Sequence, residues 1–423
     1  MSAPAEGTAV WSDPDTWNGA VPSRGDSVTI PSGTQIILDT DIDLESLTIS
    51  GTLYCGEQDL SVSAKWIMVH GLLQCGTTNS PYKNQLDITL TGSNKEESVM
   101  NMGTKFLGAM DGGIISLHGM DRTSWLMLNE TASPGDSSIV IEYASTWVVG
   151  DEIVIASTSD DMDQAEVRTV TAVNGEHLEL DHALEYRHYG QVQNFGNGQR
   201  NWEIDTRAEV GLLSRNIRIH GDAESEANRF GGHVMIMQGS AAFISGVEFS
   251  QVGQEAILGR YPFHWHMADD VSGQYIRNSS IRRSYNRCIT VHGTHNALVE
   301  DNVCFDHVGH GFFLEDGSET GNVFNNTLGL LTRRPSDELA LIASDIQTGE
   351  AARGPATFWI SNPDNSFTGN AAAGSEGLGF WYDTENSVTG VSANLSRYDN
   401  VEPITARFGG FTDNRVHSSD MSF

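Results

Sequence analysis

The sequence lacks a long apolar run, and its basic residues are few. No stretch among the 423 residues approaches the ~18 consecutive apolar residues of a membrane-spanning helix, so no span is expected. Lysine and arginine total 24 against 56 aspartates and glutamates, which gives a net charge of −32. Such a surface repels nucleic acid and anionic membranes, so neither is expected as a partner. A polyanionic substrate would need local basic residues or a bridging cation.

A secretion signal and a cysteine framework are also missing. The opening MSAPAEGTAVWSD has no basic segment followed by an apolar one, so the chain is either cytosolic or a mature form that carries a start methionine. Four cysteines are too few for a disulfide scaffold. An apolar and aromatic share of 39% nevertheless predicts a folded core.

A repeat organises the N-terminal part. GTLYCG at 51–56 and GLLQCG at 71–76 share Gly-x-Leu-x-Cys-Gly at an offset of 20 residues. A period near 20 with short strands is typical of a β-solenoid, whose rungs stack about 4.8 Å apart. Cys55 and Cys75 would then be stacked, either as a disulfide, which would favour a secreted protein, or as reduced buried thiols.

Short strand-like runs with Asn, Gly and Ser turns continue downstream at spacings of about 20 to 26 residues. Since helical periodicity is almost absent, the sequence predicts an all-β fold, a right-handed parallel β-helix, with Asn325 and Asn326 at its corners. Residues 145–180 differ and predict a small antiparallel unit with a hairpin at VNGEH. The predicted division is a β-helical domain over 1–140, an antiparallel insertion or bridge over 141–205, and β-helix repeats with the site over 206–423.

Histidines concentrate in the predicted repeats. Aligning FHWHMADD, ITVHGTH and FFLEDGS by their turns stacks His266, His292 and Glu315 in one column at offsets of 26 and 23 residues. His264 lies two residues before His266 and faces the same side, and His310 precedes the Glu315 strand. Two histidines and a carboxylate form a divalent-metal set, so we expect His264, His266, His292 and Glu315 to be the ligands.

Two other interpretations of this cluster stay open. In one, the rings form only a hydrogen-bonded ladder with Asp270 or Asp316. In the other, the cation is calcium held by carboxylates alone, drawn from Asp269, Asp270, Glu315 and Asp316. A site lined by histidine indicates a transition metal such as zinc, whereas a carboxylate-only site indicates calcium.

Sugar chemistry suggests roles for the neighbouring residues. Hydrolysis needs an acid and a base or nucleophile, whereas elimination from a uronic acid needs a neutralised carboxylate and a base. Asp270, His310 and Asp316 are the candidate acids and bases. The remaining candidates are cations that could neutralise a substrate carboxylate and rings that could stack on a sugar: Arg207, Arg260, Arg287, Tyr261 and Trp265.

Long motifs carry a resemblance to a known family. VWSDPDTWNGAVPSRGDSVTIPSG, DTRAEVGLLSRNI, FGGHV, RYPFHWHMADDV and GHGFFLEDGSETGNVFNNTLGLL span most of the chain. They resemble the eight-glycine-domain family of the cell-migration-inducing hyaluronan-binding protein and transmembrane protein 2. The chain lacks an insert between HGMDRTSWLMLNETA and PGDSSIVI and has no membrane anchor, and it resembles a short microbial version.

The resemblance implies a β-helix with an eight-glycine domain, an extracellular role in depolymerising hyaluronan, and dependence on calcium. Carried onto matching positions, it implies a groove lined by a set of polar residues and one proline: Arg207, Glu209, His233, Pro262, His264, His266, Asp270, His292, His310, Glu315 and Asp316. His233 joins the predicted substrate-binding residues Tyr261, Trp265 and Arg287 on this basis.

Two functions remain open at this stage. The first is a secreted, monomeric, metal-dependent enzyme that cuts a uronic-acid polysaccharide, hyaluronan by default, by hydrolysis or by elimination. The second is a non-catalytic carbohydrate-binding or adhesion β-helix whose histidines form a structural clip. A solvent-accessible groove favours the enzyme, and a sealed column favours the clip.

Overall fold

The computed structural model describes residues 7–346 and 354–422. Residues 1–6 lie outside this range, and they belong to the opening segment in which the sequence predicts no secretion signal. The described residues form a parallel β-helix, as the sequence predicts, and its long sheets contain 11 and 19 strands. Among these residues, no helix has the length and apolarity that crossing a membrane requires.

Three parallel ladders make the walls of the β-helix, and the 19-stranded sheet consists of two of them. The flank ladder is the 11-stranded sheet, with strands Ala9–Val10, Gln35–Leu38, Thr52–Cys55, Leu72–Cys75, Ile114–His118, Ala241–Ser245, Tyr275–Arg277, Leu298–Glu300, Val323–Asn325, Ser366–Thr368 and Gly410–Thr412. The middle ladder contains Ile42–Asp43, Leu60–Ala64, Leu86–Leu90, Ile217–Gly221, Val247–Val252, Ser280–Ser284, Val303–Val308, Leu328–Arg333, the first half of Ala371–Tyr382, and Arg415–Met421. The site ladder contains Ser27–Ile30, Ser46–Ile49, Trp66–Val69, Phe106–Ala109, His233–Met237, Phe263–Asp270, Ile289–His295, Phe312–Leu314, Ala356–Ile360 and the second half of Ala371–Tyr382.

An antiparallel unit interrupts one rung. It is a six-stranded sheet of Trp125–Met127, Ser138–Val140, Glu152–Ile155, Glu166–Asn174, His177–Leu180 and Glu209–Leu212, and it carries a hairpin of Val192–Gly196 and Asn201–Asp205. The turn predicted at VNGEH is confirmed, because Asn174 pairs with His177. The parallel ladders continue across the interruption, since Leu86–Leu90 pairs directly with Ile217–Gly221. The unit is therefore an insertion into a continuous coil.

Helical structure is short and lies in the connections. Among the described residues there is one α-helix, Ser225–Asn228. The 3₁₀ turns are Pro14–Trp17, Met162–Gln164, Asp337–Leu339, Ala343–Asp345, Ser392–Asn394, Ser396–Tyr398 and Pro403–Thr405.

Alternation along each strand decides which side chains fill the coil. On the site ladder, Trp265, Val291 and Leu314 are fully buried in the interior core, where inward side chains of successive rungs stack. Their neighbours in sequence therefore point outward from the coil. The antiparallel insertion has its own core and also packs Val154 and Leu213 against Val303 and Leu328 of the middle ladder. It therefore covers the middle ladder.

Disulfides join neighbouring rungs at two places. Cys55 bonds Cys75 with Cα atoms 4.9 Å apart, so the stacking predicted from the repeat is present. Cys288 bonds Cys304 with Cα atoms 6.4 Å apart, a pairing that the sequence analysis did not anticipate.

Candidate metal centre

The outer face of the site ladder carries the histidine column. His266 pairs with His292 in register, and Val291 pairs with Leu314, which places Glu315 in line with His292 on the next rung. The rung alignment predicted from the turns is therefore the one in the structure. His264 stands on the same outer face, with its ring centroid 4.9 Å from that of His266 and 5.7 Å from that of His292.

Each of these four side chains offers one buried atom without a hydrogen-bond partner among the described residues. The atoms are His264 Nε2, His266 Nδ1, His292 Nδ1 and Glu315 Oε2. The three histidines offer ligand atoms within 4.8 Å of one another, and so do His292, Glu315 and Asp316. Buried polar atoms normally find partners, so these two overlapping groups could hold a cation.

Hydrogen bonds on the far side of two rings hold those rings in place. The Nδ1–H of His264 donates to the carbonyl of Gly259 at 3.1 Å, which leaves Nε2 as the free acceptor. The Nε2–H of His292 donates to Asp316 Oδ2 at 2.7 Å, which leaves Nδ1 facing Glu315 Oε2 at 3.5 Å. Asp316 is held in turn by the amide of Ser392 at 2.9 Å. Such outer partners fix the tautomer and orientation of metal-binding imidazoles.

A tight turn presents Glu315 and Asp316 together. Its centre is Glu319, which is fully buried and accepts the amides of Gly293 at 2.7 Å, Asp316 at 3.2 Å and Gly317 at 2.8 Å. The hydroxyl of Tyr261 donates to Glu315 Oε1 at 3.5 Å. The sequence did not predict this role of Glu319, because a carboxylate in an EDGSE turn looks the same in sequence whether it binds backbone amides or faces solvent.

Burial dominates the electrostatics of the column. Burial raises the pKa of Glu315 to about 7, and it lowers the pKa of His266, with help from the charge of His292, to about 4. Burial also lowers the pKa of His292, but the hydrogen bond to Asp316 and the charge of Glu315 outweigh it and raise that pKa to about 9. Without a cation, His292 is thus the proton carrier between two carboxylates, and a bound cation would displace that proton.

Solvent reaches the column from one side. His264 is fully buried, but His266 is only partly buried, and the side chain of Glu315 is 13% exposed. A cavity of about 40 Å³ opens beside Glu315 and Asp316, and Trp359, Asp383 and Glu385 also line it. The column therefore lies outside the coil, beneath loops, with an opening at its acidic end.

The donor set fits a transition metal better than calcium. Three imidazole nitrogens and one carboxylate oxygen suit zinc and its neighbours, whereas calcium prefers oxygen ligands. The carboxylate-only set considered from the sequence does not assemble, because Asp269 binds Arg397 at 3.0 Å and Asp270 binds Ser272 and Asn296. Those last hydrogen bonds hold the pKa of the exposed Asp270 at about 2, which disfavours the acid half of its predicted role as acid or base and leaves the base half a prediction.

Three residues expected to bind substrate are not accessible. Trp265 is fully buried in the coil interior, where its Nε1 donates to Gln274 at 3.1 Å, so it cannot stack on a sugar. Tyr261 is also fully buried, and only its hydroxyl approaches Glu315. Arg287 forms a buried ion pair with Asp345. The structure therefore leaves none of these three rings or guanidinium groups accessible: strand alternation turns Trp265 into the coil, and Asp345 of the turn Ala343–Asp345 closes off Arg287.

Two histidines assigned to the groove are enclosed as well. His310 is fully buried; its Nδ1 accepts the amide of Ala356 at 2.9 Å and its Nε2 donates to Ser344 at 3.0 Å, so a role in proton transfer to substrate is wrong. His233 is fully buried beside Phe106, and burial together with the charge of Arg260 lowers its pKa to about 3. His233 therefore does not contact substrate from this position.

The arginines divide between two parts of the molecule. Arg207 binds Asp205 at 2.9 Å and Glu142 at 3.3 Å in the antiparallel insertion, and Glu209 binds His417 at 2.7 Å on the middle ladder. The predicted placement of Arg207 and Glu209 in the groove is therefore wrong. Arg260 does lie near the column: its charge lowers the pKa of His266, and among the described residues no carboxylate is within 4.0 Å of its guanidinium.

Comparison with known proteins assigns both halves of the coil. Residues 16–129 match the G8 domain, and residues 229–423 match the CEMIP β-helix. Mouse Fibrocystin-L is 33% identical over 458 residues, covering 97% of this chain and 10% of that protein. A G8 domain-containing protein of Dictyostelium discoideum is 33% identical over 440 residues, covering 98% of this chain and 37% of that protein. The chain thus spans between a tenth and two fifths of these relatives.

Two solved structures were also matched. The tailspike gp61 of Pseudomonas phage phi297 has 10% identity and a TM-score of 0.22, covering 84% of this chain and 55% of that one. The Gp54 tailspike of Acinetobacter baumannii bacteriophage AP22, in complex with capsular saccharide, has 9% identity and a TM-score of 0.21, covering 98% and 69%. With TM-scores this low, neither tailspike indicates a function for this chain.

Proposed function

Because the chain belongs with the proteins that join a G8 domain to a CEMIP β-helix, we propose that it is a secreted, metal-dependent enzyme that cuts a uronic-acid polysaccharide, with hyaluronan as the first substrate to test. One observation carries the proposal: His292 joins two groups of ligand atoms, one with His264 and His266 and one with Glu315 and Asp316, and the second group lies beside an opening to solvent. Two disulfides favour an oxidising compartment and hence secretion.

A bound divalent cation would polarise a sugar carboxylate or activate a water molecule at this position. The remaining roles fall to the chain itself. Gly259 and Asp316 orient the rings of His264 and His292 through the hydrogen bonds described above. Arg260 is a nearby cation whose guanidinium donates to the carbonyl of Asn101 and could also pair with a uronic carboxylate. A chain with a net charge of −32 would otherwise repel that carboxylate.

Proton transfer is assigned to carboxylates at the opening. Asp383 and Glu385 line the same cavity of about 40 Å³ as Glu315 and Asp316, so a glycosidic bond at its mouth would face carboxylates from both pairs. Two carboxyl groups on either side of a glycosidic bond are what hydrolysis requires. We therefore assign hydrolysis as the primary reaction. Elimination stays as the alternative on the same groove, since it would use Arg260 and a base in the same place.

The test pairs metal content with chain cleavage. We expect the wild type to hold one divalent ion per chain by elemental analysis and to shorten high-molecular-weight hyaluronan. His292→Ala should lose the ion and lower the cleavage rate by at least about 100-fold, because it removes the residue shared by both ligand groups. New reducing ends without an unsaturated uronic acid would identify hydrolysis, and an unsaturated end group would identify elimination.

His70→Ala is the matched control. His70 stands on the same outer face, directly after the site-ladder strand Trp66–Val69, and its ring only meets the exposed Asp111 at 3.3 Å. This variant should keep metal and activity. Equal loss in both variants, or a folded wild type that binds no divalent ion, would contradict the proposed metal centre.

A second function has an observation in its favour. Three of the four ligands are largely covered, and the cavity beside them holds only about 40 Å³. This burial would suit a metal clip between rungs of a carbohydrate-binding β-helix without catalysis. Stoichiometric metal in a protein that leaves hyaluronan uncut but retains it would support this function over the enzyme.

A further inference from the structure

A second cleft runs along the outer face of the flank ladder, apart from the histidine column. It consists of cavities of about 540 Å³ and about 240 Å³ that share Thr77 and Pro81 as walls. The turn 76–84, which connects Leu72–Cys75 to Leu86–Leu90, forms one side, and flank-ladder residues form the other. We call these two cavities together the flank cleft. The smaller one brings residues of the G8 region against residues of the CEMIP β-helix region.

The turn 76–84 is held rigidly, so the flank cleft is preformed. The amide of Tyr82 donates to the carbonyl of His118 at 2.8 Å, and the side-chain amide of Asn216 donates to the carbonyls of Tyr82 and Asn84, each at 2.8 Å. Gly76 has φ +73°, and a Cβ there would lie 2.4 Å from the carbonyl oxygen of His118. Only glycine fits this close approach, so the sequence itself fixes the turn against the ladder.

Arg277 enters the smaller cavity without a direct ion pair among the described residues, although its charge partly offsets the rise that burial causes in the pKa of Asp301. Its guanidinium stacks on the ring of Tyr275 at 4.4 Å, and its Nε is buried without a hydrogen-bond partner within the described part of the chain. The next rung places Glu300 beside it in register, yet Glu300 turns away to accept the amide of Asn325 at 2.9 Å. No carboxylate of residues 7–346 or 354–422 lies within 4.0 Å of this guanidinium. An unsatisfied donor in a wall of a cavity indicates a ligand that supplies an acceptor.

The charges around Arg277 restrict what that ligand is. Asp121, Glu300 and Asp301 line the same cavity, so three carboxylates surround one arginine. A polyanion would meet net repulsion there, and a cation would meet the guanidinium. An uncharged ligand rich in hydroxyl groups satisfies both, because a hydroxyl donates to carboxylates and accepts from Arg277. The larger cavity adds Tyr54, Tyr82 and side-chain amides, together with one residue of each charge, Glu57 and Lys83, so it has no net charge of its own.

We propose that the flank cleft binds a short stretch of uncharged sugar units. It stands apart from the metal centre, because its walls belong to the flank ladder and the turn 76–84, whereas the metal column belongs to the site ladder. A chain with both sites would bind an uncharged glycan at one place and act on an anionic polysaccharide at another. Binding in the flank cleft needs neither metal nor cleavage.

Calorimetric titration of the full chain with N-acetylchitotetraose, an uncharged tetrasaccharide, tests the proposal. Arg277→Ala removes the unpaired donor, and Asn79→Trp fills the larger cavity from an exposed turn position. Each should weaken binding by about tenfold or more, a difference of about 1.4 kcal/mol per tenfold step. Ser32→Trp, at an exposed turn outside the cleft, should bind as the wild type does, and so should His292→Ala.

Three results would overturn the proposal: no binding of the uncharged tetrasaccharide by the wild type, wild-type binding by both cleft variants, or tighter binding of a hyaluronan tetrasaccharide than of the uncharged one. Thermal unfolding of Arg277→Ala and Asn79→Trp checks that each variant is folded. Because His292→Ala keeps the cleft intact, failure of the metal centre and failure of the flank cleft give different patterns.

Discussion

Two buried polar columns run along this β-helix, and they differ in how their hydrogen bonds are satisfied. In the asparagine column on the corner beside the flank ladder, Asn322 Oδ1 accepts the amide of Ala297 at 2.9 Å, and its Nδ2 donates to Thr294 at 3.1 Å and to Asn365 at 2.9 Å. At the opposite end of the flank strands, Asn370 makes the same kind of hydrogen bonds with Thr327, Phe324 and Asn414. The histidine column also stacks from rung to rung and is largely buried, yet four of its atoms have no partner among the described residues.

This difference in hydrogen bonding distinguishes polar side chains that stabilise the fold from polar side chains that are available to a ligand. A fully bonded side-chain ladder replaces water at every atom and stabilises one register of the rungs. A column with bare acceptors destabilises the fold unless a ligand supplies what is missing, because each unsatisfied buried group costs about 1–3 kcal/mol. Stacking alone therefore does not distinguish the two columns; the count of unsatisfied atoms does.

Breaking the asparagine column should give the largest loss of stability. Asn322→Ala leaves the Ala297 amide, the Thr294 carbonyl and Asn365 Oδ1 buried without this partner, so we expect the free energy of unfolding to fall by about 2–4 kcal/mol. Denaturant titration, with and without added metal, measures it. Asn325→Ala is the control, since that partly exposed amide bonds only Glu300, and it should cost less than about 1 kcal/mol. Equal losses would show that the buried ladder contributes nothing special.

Completing the histidine column should give the next largest effect. Zn²⁺ at about 100 times its dissociation constant should raise the free energy of unfolding of the wild type by about 2.7 kcal/mol, because the ion binds only the folded column. Asn322→Ala should show the same increase from its lower baseline. His266→Ala should lose most of the increase, and a full increase in that variant would mean that the ion binds elsewhere.

Removing a bare group should cost little in the metal-free protein. His266→Phe retains a ring of similar shape and removes Nδ1, which has no partner among the described residues, so we expect a change within about 1 kcal/mol of wild type. A chelator-treated sample in denaturant measures the change. A loss as large as that of Asn322→Ala would mean that the two columns are equally structural, and the comparison between them would fail.

Sequence patterns predicted how the rungs stack, but they did not predict which residues the loops bury. The alignment of His266, His292 and Glu315 followed from turn spacing, because the β-helix repeats one rung at a time. The burial of Tyr261 and His310 did not follow, since it depends on loops that fold back over the ladder. The asparagine column was missed for a different reason: asparagine also suits left-handed corners, as Asn326 does at φ +47°, so composition cannot separate a corner from a ladder.

Two buried glutamates extend the comparison to single residues. Glu166, in the antiparallel insertion, accepts the amides of Glu185 at 2.9 Å and Tyr186 at 3.0 Å and bonds His188 at 2.9 Å. Burial raises its pKa, but these donors outweigh burial and hold that pKa below the ordinary value. Glu315 has few donors, and burial raises its pKa to about 7. The number of hydrogen-bond donors to the buried carboxylate thus decides whether its pKa is lowered or raised.

This contrast predicts the smallest effect, a difference in acid sensitivity. Because the folded pKa of Glu166 is depressed, its contribution to stability is present above the ordinary glutamate pKa and is lost as pH falls through the folded value. Glu166→Gln should therefore be less stable than wild type at neutral pH, and the gap should narrow as the pH falls from the ordinary glutamate pKa through the lower folded pKa. Unfolding curves across that range measure the gap. A gap that stays constant with pH would mean that the glutamine loses only packing, and that the ionised carboxylate contributes nothing that a neutral amide cannot supply.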